Sequence, residues 1–318
     1  MKYLIAILLV CAFYPAFNPQ ELTVNQWLIE PRQNDGKLQL SLRMRRDRDG
    51  SSSNINHVGF GIALDQLTGL TREQMMSTSG TTVKFELKRD AGTFHFEGWF
   101  KEGNGSGHFN LTPNSSFASD LSRQGFGNAS ADQLQSLAMS DVGSAFINEL
   151  KIQGYDTATV EQLVKMAHHG VKLEYLQGLK SFGYSVKTTA LVVRMKDHGV
   201  SLNFIKDLTA LGYANLTTDE LVKAKDHGVT PKFITEIKEL GYTGLLLDEL
   251  RRMKDHGVNA TFIKELKDLG YSNLAIQQLI RLKDHGVNAG YIRRMKEKGH
   301  GDLPIEEYIR LKNRGERE

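Results

Sequence analysis

Residues 212–240 read GYANLTTDELVKAKDHGVTPKFITEIKEL, and Gly241-Tyr242 then starts the phrase again. Gly-aromatic pairs stand at Gly125-Phe126, Gly154-Tyr155, Gly183-Tyr184, Gly212-Tyr213, Gly241-Tyr242 and Gly270-Tyr271, with Gly299-His300 as a seventh, every step being 29 residues. A second series keeps the same spacing through His169-Gly170, His198-Gly199, His227-Gly228, His256-Gly257 and His285-Gly286. It extends back to Ser140-Asp141 and forward to Arg314-Gly315. Two series with one period and no insertion define a tandem repeat.

The unit 212–240 shows what each repeat folds into. Thr217 and Glu220 form a capping box, repeated by Ser130 with Gln133 and by Thr159 with Gln162. Leu221, Val222 and Ala224 share one face, and Gly228 supplies a left-handed C-terminal cap. Thr230-Pro231 restarts a helix with an N-cap and a proline at its first position. Phe233, Ile234, Ile237 and Leu240 then recur at helical spacing. Each unit is therefore two helices of about ten residues, too short to persist alone in water. Stacking is their remedy, which predicts an α-solenoid over residues 121–318, with six full units and a terminal half unit.

Residues 20–120 lack the period. Leu38, Leu40, Leu42 and Met44 alternate with polar residues, as do Val58, Phe60, Ile62 and Leu64, then Val83, Phe85 and Leu87, then Phe94, Phe96 and Phe100. Period two is the mark of half-buried antiparallel strands. Asp49-Gly50-Ser51, Asp90-Ala91-Gly92 and Gly103-Asn104-Gly105 supply turn signals between them. The expected fold class is α+β: a small antiparallel sandwich or open barrel of about six strands, with a short helix within 67–76, followed by the solenoid.

The N-terminus, MKYLIAILLVCAFYPAFNPQ, places Lys2 before an apolar run that ends near Phe13, shorter than the ~20 residues of a membrane span. Residues 1–19 read as a secretory signal, so the expected location is periplasmic or secreted. Cys11 follows Leu8-Leu9-Val10, where valine fits a lipoprotein signal poorly, so lipid anchoring is the lesser reading. Cys11 is also the single cysteine of the 318 residues, which excludes thiolate zinc sites and internal disulfides. A net charge of +3 is too near balance for a dedicated nucleic-acid binder, and none is expected as a partner.

The recurring Lys-Asp-His-Gly is the most tempting chemistry: Asp197-His198, Asp226-His227, Asp255-His256 and Asp284-His285. Ligands to one zinc lie about 2 Å from it. Packed helices of successive repeats stand about 8–10 Å apart, so neighbouring units cannot easily share an ion. A metal-binding solenoid is therefore a rival reading only. Cations in a last helical turn favour the helix dipole, whereas aspartate there opposes it. The aspartates are expected to accept from a donor in the neighbouring unit, a tyrosine hydroxyl or an unpaired N–H, and so to fix the repeat register. A ridge of these residues that contacts a partner is the other option. His168-His169 is too splayed on a helix to chelate.

Gly103-x-Gly105-x-Gly107 has no helix after it and reads as a hairpin with bulges rather than a dinucleotide loop. Asp47-Arg48-Asp49-Gly50 lacks the spaced oxygens and closing glutamate of a calcium loop. No Gly-x-Ser-x-Gly or His-Glu-x-x-His occurs, so no catalytic residue and no cofactor is expected. In the β domain, His95, Glu97 and Trp99 share the face opposite Phe94, Phe96 and Phe100. They are the basis of an alternative, an envelope glycan-binding protein or hydrolase. The basic residues of the last units are interleaved with acids. A mildly basic strip near Arg293-Arg294 could meet an anionic membrane surface.

The run RDAGTFHFEGWF at 89–100 with GNGSGHF at 103–109, followed by DEL-x-x-x-KDHGV-x-x-x-FI-x-EL-x-x-LGY units, resembles a known extracytoplasmic extension. It accompanies some bacterial membrane metallopeptidase sensors of the antirepressor-cleaving, penicillin-sensing type. The resemblance covers residues 30–318 and leaves out the peptidase, whose zinc motif and membrane helices are absent, so no catalytic residue carries over. It implies a secreted sensory or partner-binding module. The leading expectation is accordingly a non-enzymatic extracytoplasmic interaction or scaffold protein that binds a protein partner through its repeats. The positions Lys172, Ser201, Thr230, Asn259 and Asn288 vary most, but they are N-cap positions, which is a structural reason for their variation.

Overall fold

The computed structural model describes residues 25–32, 36–48, 52–155 and 158–315. The expected signal segment 1–19 and the Asp49-Gly50-Ser51 turn lie outside the described residues. Among those described, no helix is long and apolar enough to cross a membrane. The chain divides into two compact units between Ser115 and Ser116, a little ahead of the boundary expected at 120.

The first unit is one antiparallel sheet of seven strands, curled into a half-barrel rather than folded as a sandwich. The strands are β1 (Gln26–Pro31), β2 (Leu38–Arg48), β3 (Ser52–Ile62), β4 (Leu67–Thr68), β5 (Thr81–Arg89), β6 (Gly92–Lys101) and β7 (Asn104–Pro113), with helix α1 (Arg72–Met75) before β5. Their order across the sheet is β3-β2-β1-β7-β6-β5-β4. Alternation turns every second side chain inward, so Trp27, Ile29, Leu40, Leu42, Phe85, Phe94, Phe96, Phe100 and Phe109 are all buried. The Trp27 indole meets Phe85 and Phe96 edge-on, at centroid distances of 5.2 and 6.1 Å, and donates its Nε1–H to the Glu97 carbonyl at 3.1 Å.

Glycines make room for that ring. A Cβ on Gly98 would stand 2.6 Å from the Trp27 Cζ2 and 2.2 Å from the Ser106 carbonyl oxygen, and one on Gly107 would stand 2.8 Å from the Trp27 Nε1. The glycine run at 103–107 is thus a packing device. Gly105 and Gly107 sit inside β7, which pairs with β6 without a bulge, and the turn is Glu102-Gly103 rather than Gly103-Asn104-Gly105.

The second unit opens with α2 (Ser115–Arg123) and continues as helix pairs. The first helices of the units are α3 (Ala131–Met139), α5 (Val160–His168), α7 (Thr189–Asp197), α9 (Thr218–Asp226), α11 (Leu247–Asp255), α13 (Ile276–Asp284) and α15 (Ile305–Asn313). The second helices are α4 (Ser144–Ile152), α6 (Leu173–Ser181), α8 (Leu202–Ala210), α10 (Pro231–Glu239), α12 (Ala260–Asp268) and α14 (Ala289–Met295). First helices pack on first helices of the next unit, and second on second, along the whole series. This is the expected solenoid, with six full units and a half.

Both glycine series end helices in the same way. Gly228 takes φ +67°; its N–H bonds the Lys225 carbonyl and the Val229 N–H the Ala224 carbonyl, at 3.1 and 2.8 Å. That is a Schellman motif, which a residue with a side chain adopts only at a cost. The buried stripe is repetitive too: the aromatic ring of each second helix (Phe146, Tyr175, Phe204, Phe233, Phe262, Tyr291) is buried in every full unit.

Gly98→Ala tests the β-domain packing. The added methyl has only backbone and the indole to push against, so urea unfolding followed by Trp27 fluorescence should show a loss of about 1–3 kcal/mol. Unchanged stability would mean that the indole does not lie over Gly98.

Candidate functional site

The Lys, Asp and His of Lys-Asp-His-Gly are used between repeats, while the Gly closes its own helix. The imidazole Nδ1 of His198 bonds Asp226 at 2.6 Å, His227 bonds Asp255 at 2.5 Å, and His256 bonds Asp284 at 2.6 Å. His169 bonds Asp197 in the same way, and His285 bonds the Asn313 Oδ1 at 2.9 Å. The donor to each aspartate is thus the histidine of the preceding unit, not the tyrosine hydroxyl or free N–H expected. The lysine also reaches back. Lys196, Lys225, Lys254, Lys283 and Lys312 hold their ammonium groups 4.4–5.0 Å from the ring centres of Tyr175, Phe204, Phe233, Phe262 and Tyr291. Burial lowers the Lys196 ammonium below the usual lysine range, with Lys172 adding to the shift.

Other ladders run beside this one. Tyr213, Tyr242 and Tyr271 donate their hydroxyls to the carbonyls of Leu245, Leu274 and Leu303 at 2.8–2.9 Å. Lys238, Lys267 and Lys296 cap the carbonyls of Leu211, Leu240 and Leu269, which end the preceding second helices, at 2.6–3.3 Å. Arg194, Arg252 and Arg281 reach Asp219, Gln277 and Glu306 of the next first helix at 2.7–2.9 Å.

The chemistry available in the His–Asp ladder is limited. Each dyad lacks a nucleophile and a third ligand, and among the described residues no three His, Cys, Asp or Glu side chains gather. The positions that vary most are N-caps in fact. Ser201, Thr230, Asn259 and Asn288 each accept the N–H three residues on, whereas Lys172 provides no side-chain cap.

The exposed faces of the second helices are different. The last residues of the second helices α4 to α12 run Ile152, Ser181, Ala210, Glu239, Asp268, with Glu297 at the equivalent place two residues beyond α14, all exposed. The exposed position four residues earlier runs Asn148, Gln177, Lys206, Thr235, Lys264, Arg293. The surface changes from neutral and apolar to charged along its length, and no repeating unit-to-unit bond passes through it.

In the β domain, His95, Glu97 and Trp99 do share the outer face, but separately engaged. His95 bonds Glu86 at 3.0 Å and Thr112 at 3.2 Å; Glu97 pairs with Lys84 at 2.7 Å. Trp99 is 51% exposed. In the pairing register it is flanked by Thr82 and Ser106, with Leu28 beyond Ser106.

Fold and surface together define a repeat protein of the α+β class. Comparison with family models, curated proteins and solved structures finds no match.

Two measurements check the joints. In a double-mutant cycle on His198→Ala and Asp226→Ala, the coupling should be about 0.2–1 kcal/mol, since both groups are partly exposed, and Asp226→Asn should cost less than Asp226→Ala, because Asn313 already fills this role. Zero coupling would remove the joint. Separately, burial pushes the phenols of Tyr155, Tyr175, Tyr184, Tyr213, Tyr242 and Tyr271 above the usual tyrosine range. A raised folded value favours the neutral form in the fold. That stability is present below pH ~10 and is lost as pH rises through the folded values. Absorbance titration should show these phenols ionising late, together with helix loss; ionisation near pH 10 with helix intact would contradict it.

Proposed function

We propose that the chain is a non-catalytic interaction protein that docks a protein partner along the exposed second-helix positions of its repeats. One observation carries this: the recurring polar motif is spent on unit-to-unit joints, whereas the exposed second-helix residues change from unit to unit and bind nothing repetitive. A rigid row of non-equivalent side chains can distinguish one partner from another, which a uniform ridge cannot. The reading of residues 1–19 as a secretion signal supports an extracytoplasmic setting. The glycan-binding alternative has less support, because His95 and Glu97 already satisfy neighbours on their own sheet and Trp99 alone is left open.

The test is capture from bacterial envelope extract on immobilised full-length chain. Wild type and a first-helix control, Lys223→Glu, should retain a specific partner. The triple variant Lys206→Glu, Lys264→Glu, Arg293→Glu should lose it. Nothing captured above bare resin, or equal capture by the triple variant, would refute the proposal.

A further inference from the structure

The outer face of the β-domain sheet carries a row that crosses six strands. In the pairing register Thr82, Trp99, Ser106, Leu28, Ser41 and Gly59 stand side by side on β5, β6, β7, β1, β2 and β3. Trp99 is 51% and Leu28 41% exposed, and the residues between and beside them are small. The fold makes no use of this indole. Trp27 is buried and its Nε1–H is satisfied by the Glu97 carbonyl, whereas the Trp99 side chain has no hydrogen bond or aromatic partner among the described residues. A threonine serves the solvated face of a strand as well, so an exposed indole beside an exposed leucine calls for a reason outside the fold.

Geometry, area and charge narrow the occupant. Neighbouring strands lie about 4.7–4.9 Å apart, so Trp99 and Leu28, two strands apart, stand about 10 Å from each other with Ser106 between them. Carbon contacts of about 3.5–4 Å on each wall leave room for one ring in that slot. The indole leans toward Gly80, whose Cβ would come within 3.9 Å of its Cε3, on the side away from Ser106. The exposed half of a tryptophan offers only about 100 Å², far short of the roughly 800 Å² that each partner gives to a stable protein–protein interface. The slot therefore fits a small ligand better than a second copy. It also lacks a net charge: Glu97 is held by Lys84 at 2.7 Å, and at the other end Lys101 and Glu30 offset one another. What it offers is hydrogen bonding. Ser106 has an unpartnered hydroxyl among the described residues, and His108 and Gln26, opposite one another two residues along, are exposed on the same face.

We propose that the slot is a saccharide subsite, in which one pyranose of a neutral oligosaccharide seats between Trp99 and Leu28. A sugar ring is apolar on its C–H faces and polar at its rim, which matches two apolar walls with hydroxyl, amide and imidazole groups at floor and end. The negative face of the indole favours the C–H bonds it meets. His95 and Glu97 take no part, since both are engaged on their own sheet. The site is separate from the docking surface of the repeats and does not rest on that reading.

The test is calorimetric titration of full-length protein with cellotetraose and chitotetraose, with the anionic tetragalacturonate as control. Wild type should bind at least one neutral tetrasaccharide more tightly than the control, with a saturable blue shift of tryptophan emission as Trp99 leaves water. Trp99→Thr removes one wall, and Ser106→Leu fills the slot while keeping the indole. Each should weaken binding at least about tenfold. Both substitutions lie on the outer face, so far-UV circular dichroism and the emission of buried Trp27 should be retained, which separates lost binding from lost fold. No binding of either neutral sugar by wild type, equal binding of tetragalacturonate, or unchanged binding by Trp99→Thr overturns the assignment. A wild-type dimer in sedimentation that Trp99→Thr dissociates, with no sugar bound, would give the face to a second copy and also overturn it. None of these readouts involves the envelope partner, so the docking reading stands or falls separately.

Discussion

A nine-residue helix in water is mostly unfolded, and this solenoid consists of little else. What makes each helix persist is the helix two places before it and the helix two places after. Burial of Leu, Ile and aromatic side chains between units supplies the bulk of that stability. The polar ladders do a different job. Hydrophobic contact is non-directional and would tolerate slippage of one unit against the next. A His–Asp bond, a lysine over a ring and a tyrosine on a carbonyl, repeated at each joint, fix which turn faces which. Individually they are surface interactions of small energy. Their effect is on register rather than on total stability.

Much of this was legible in the sequence because the repeat is so regular. Gly228 and Gly212 announced helix ends, and the Thr217–Glu220 box announced a start; both hold in the structure. The partner of the aspartates was misjudged, though a readable signal existed. Histidine occupies its place from the unit of His169 to that of His285, whereas the acceptor runs from Asp197 to Asn313. The two series are offset by one unit, as they must be if each histidine reaches forward. Lysine shows the same offset, starting at Lys196. The tyrosine and lysine bonds to carbonyls left no such trace, since backbone acceptors carry no residue identity.

The β domain was legible in its strands but not in its closure. Alternation placed Phe94, Phe96 and Phe100 on one face, and they are buried there. Whether a second sheet covers that face or the sheet curls over itself depends on how closely strands approach. Here Gly98 and Gly107 let the strands close over the Trp27 ring, and of these Gly107 belonged to a run read as a hairpin with bulges. His95, Glu97 and Trp99 were rightly placed on one face. Their engagement with Glu86, Thr112 and Lys84 depends on cross-strand register, which one strand read alone does not contain.

The central claim is that the unit and its joints are the whole of the solenoid's stability, so that units are interchangeable in register. The direct test is deletion of residues 212–240 as a block, joining Leu211 to Gly241. His198 would then face Asp255, Lys254 would face Phe204, and Arg194 would face Asp248, so every ladder closes again. The account predicts a folded, shorter protein with the same helical circular dichroism per residue and a single, earlier urea transition. Loss of the helical signal on removing this one unit would contradict it.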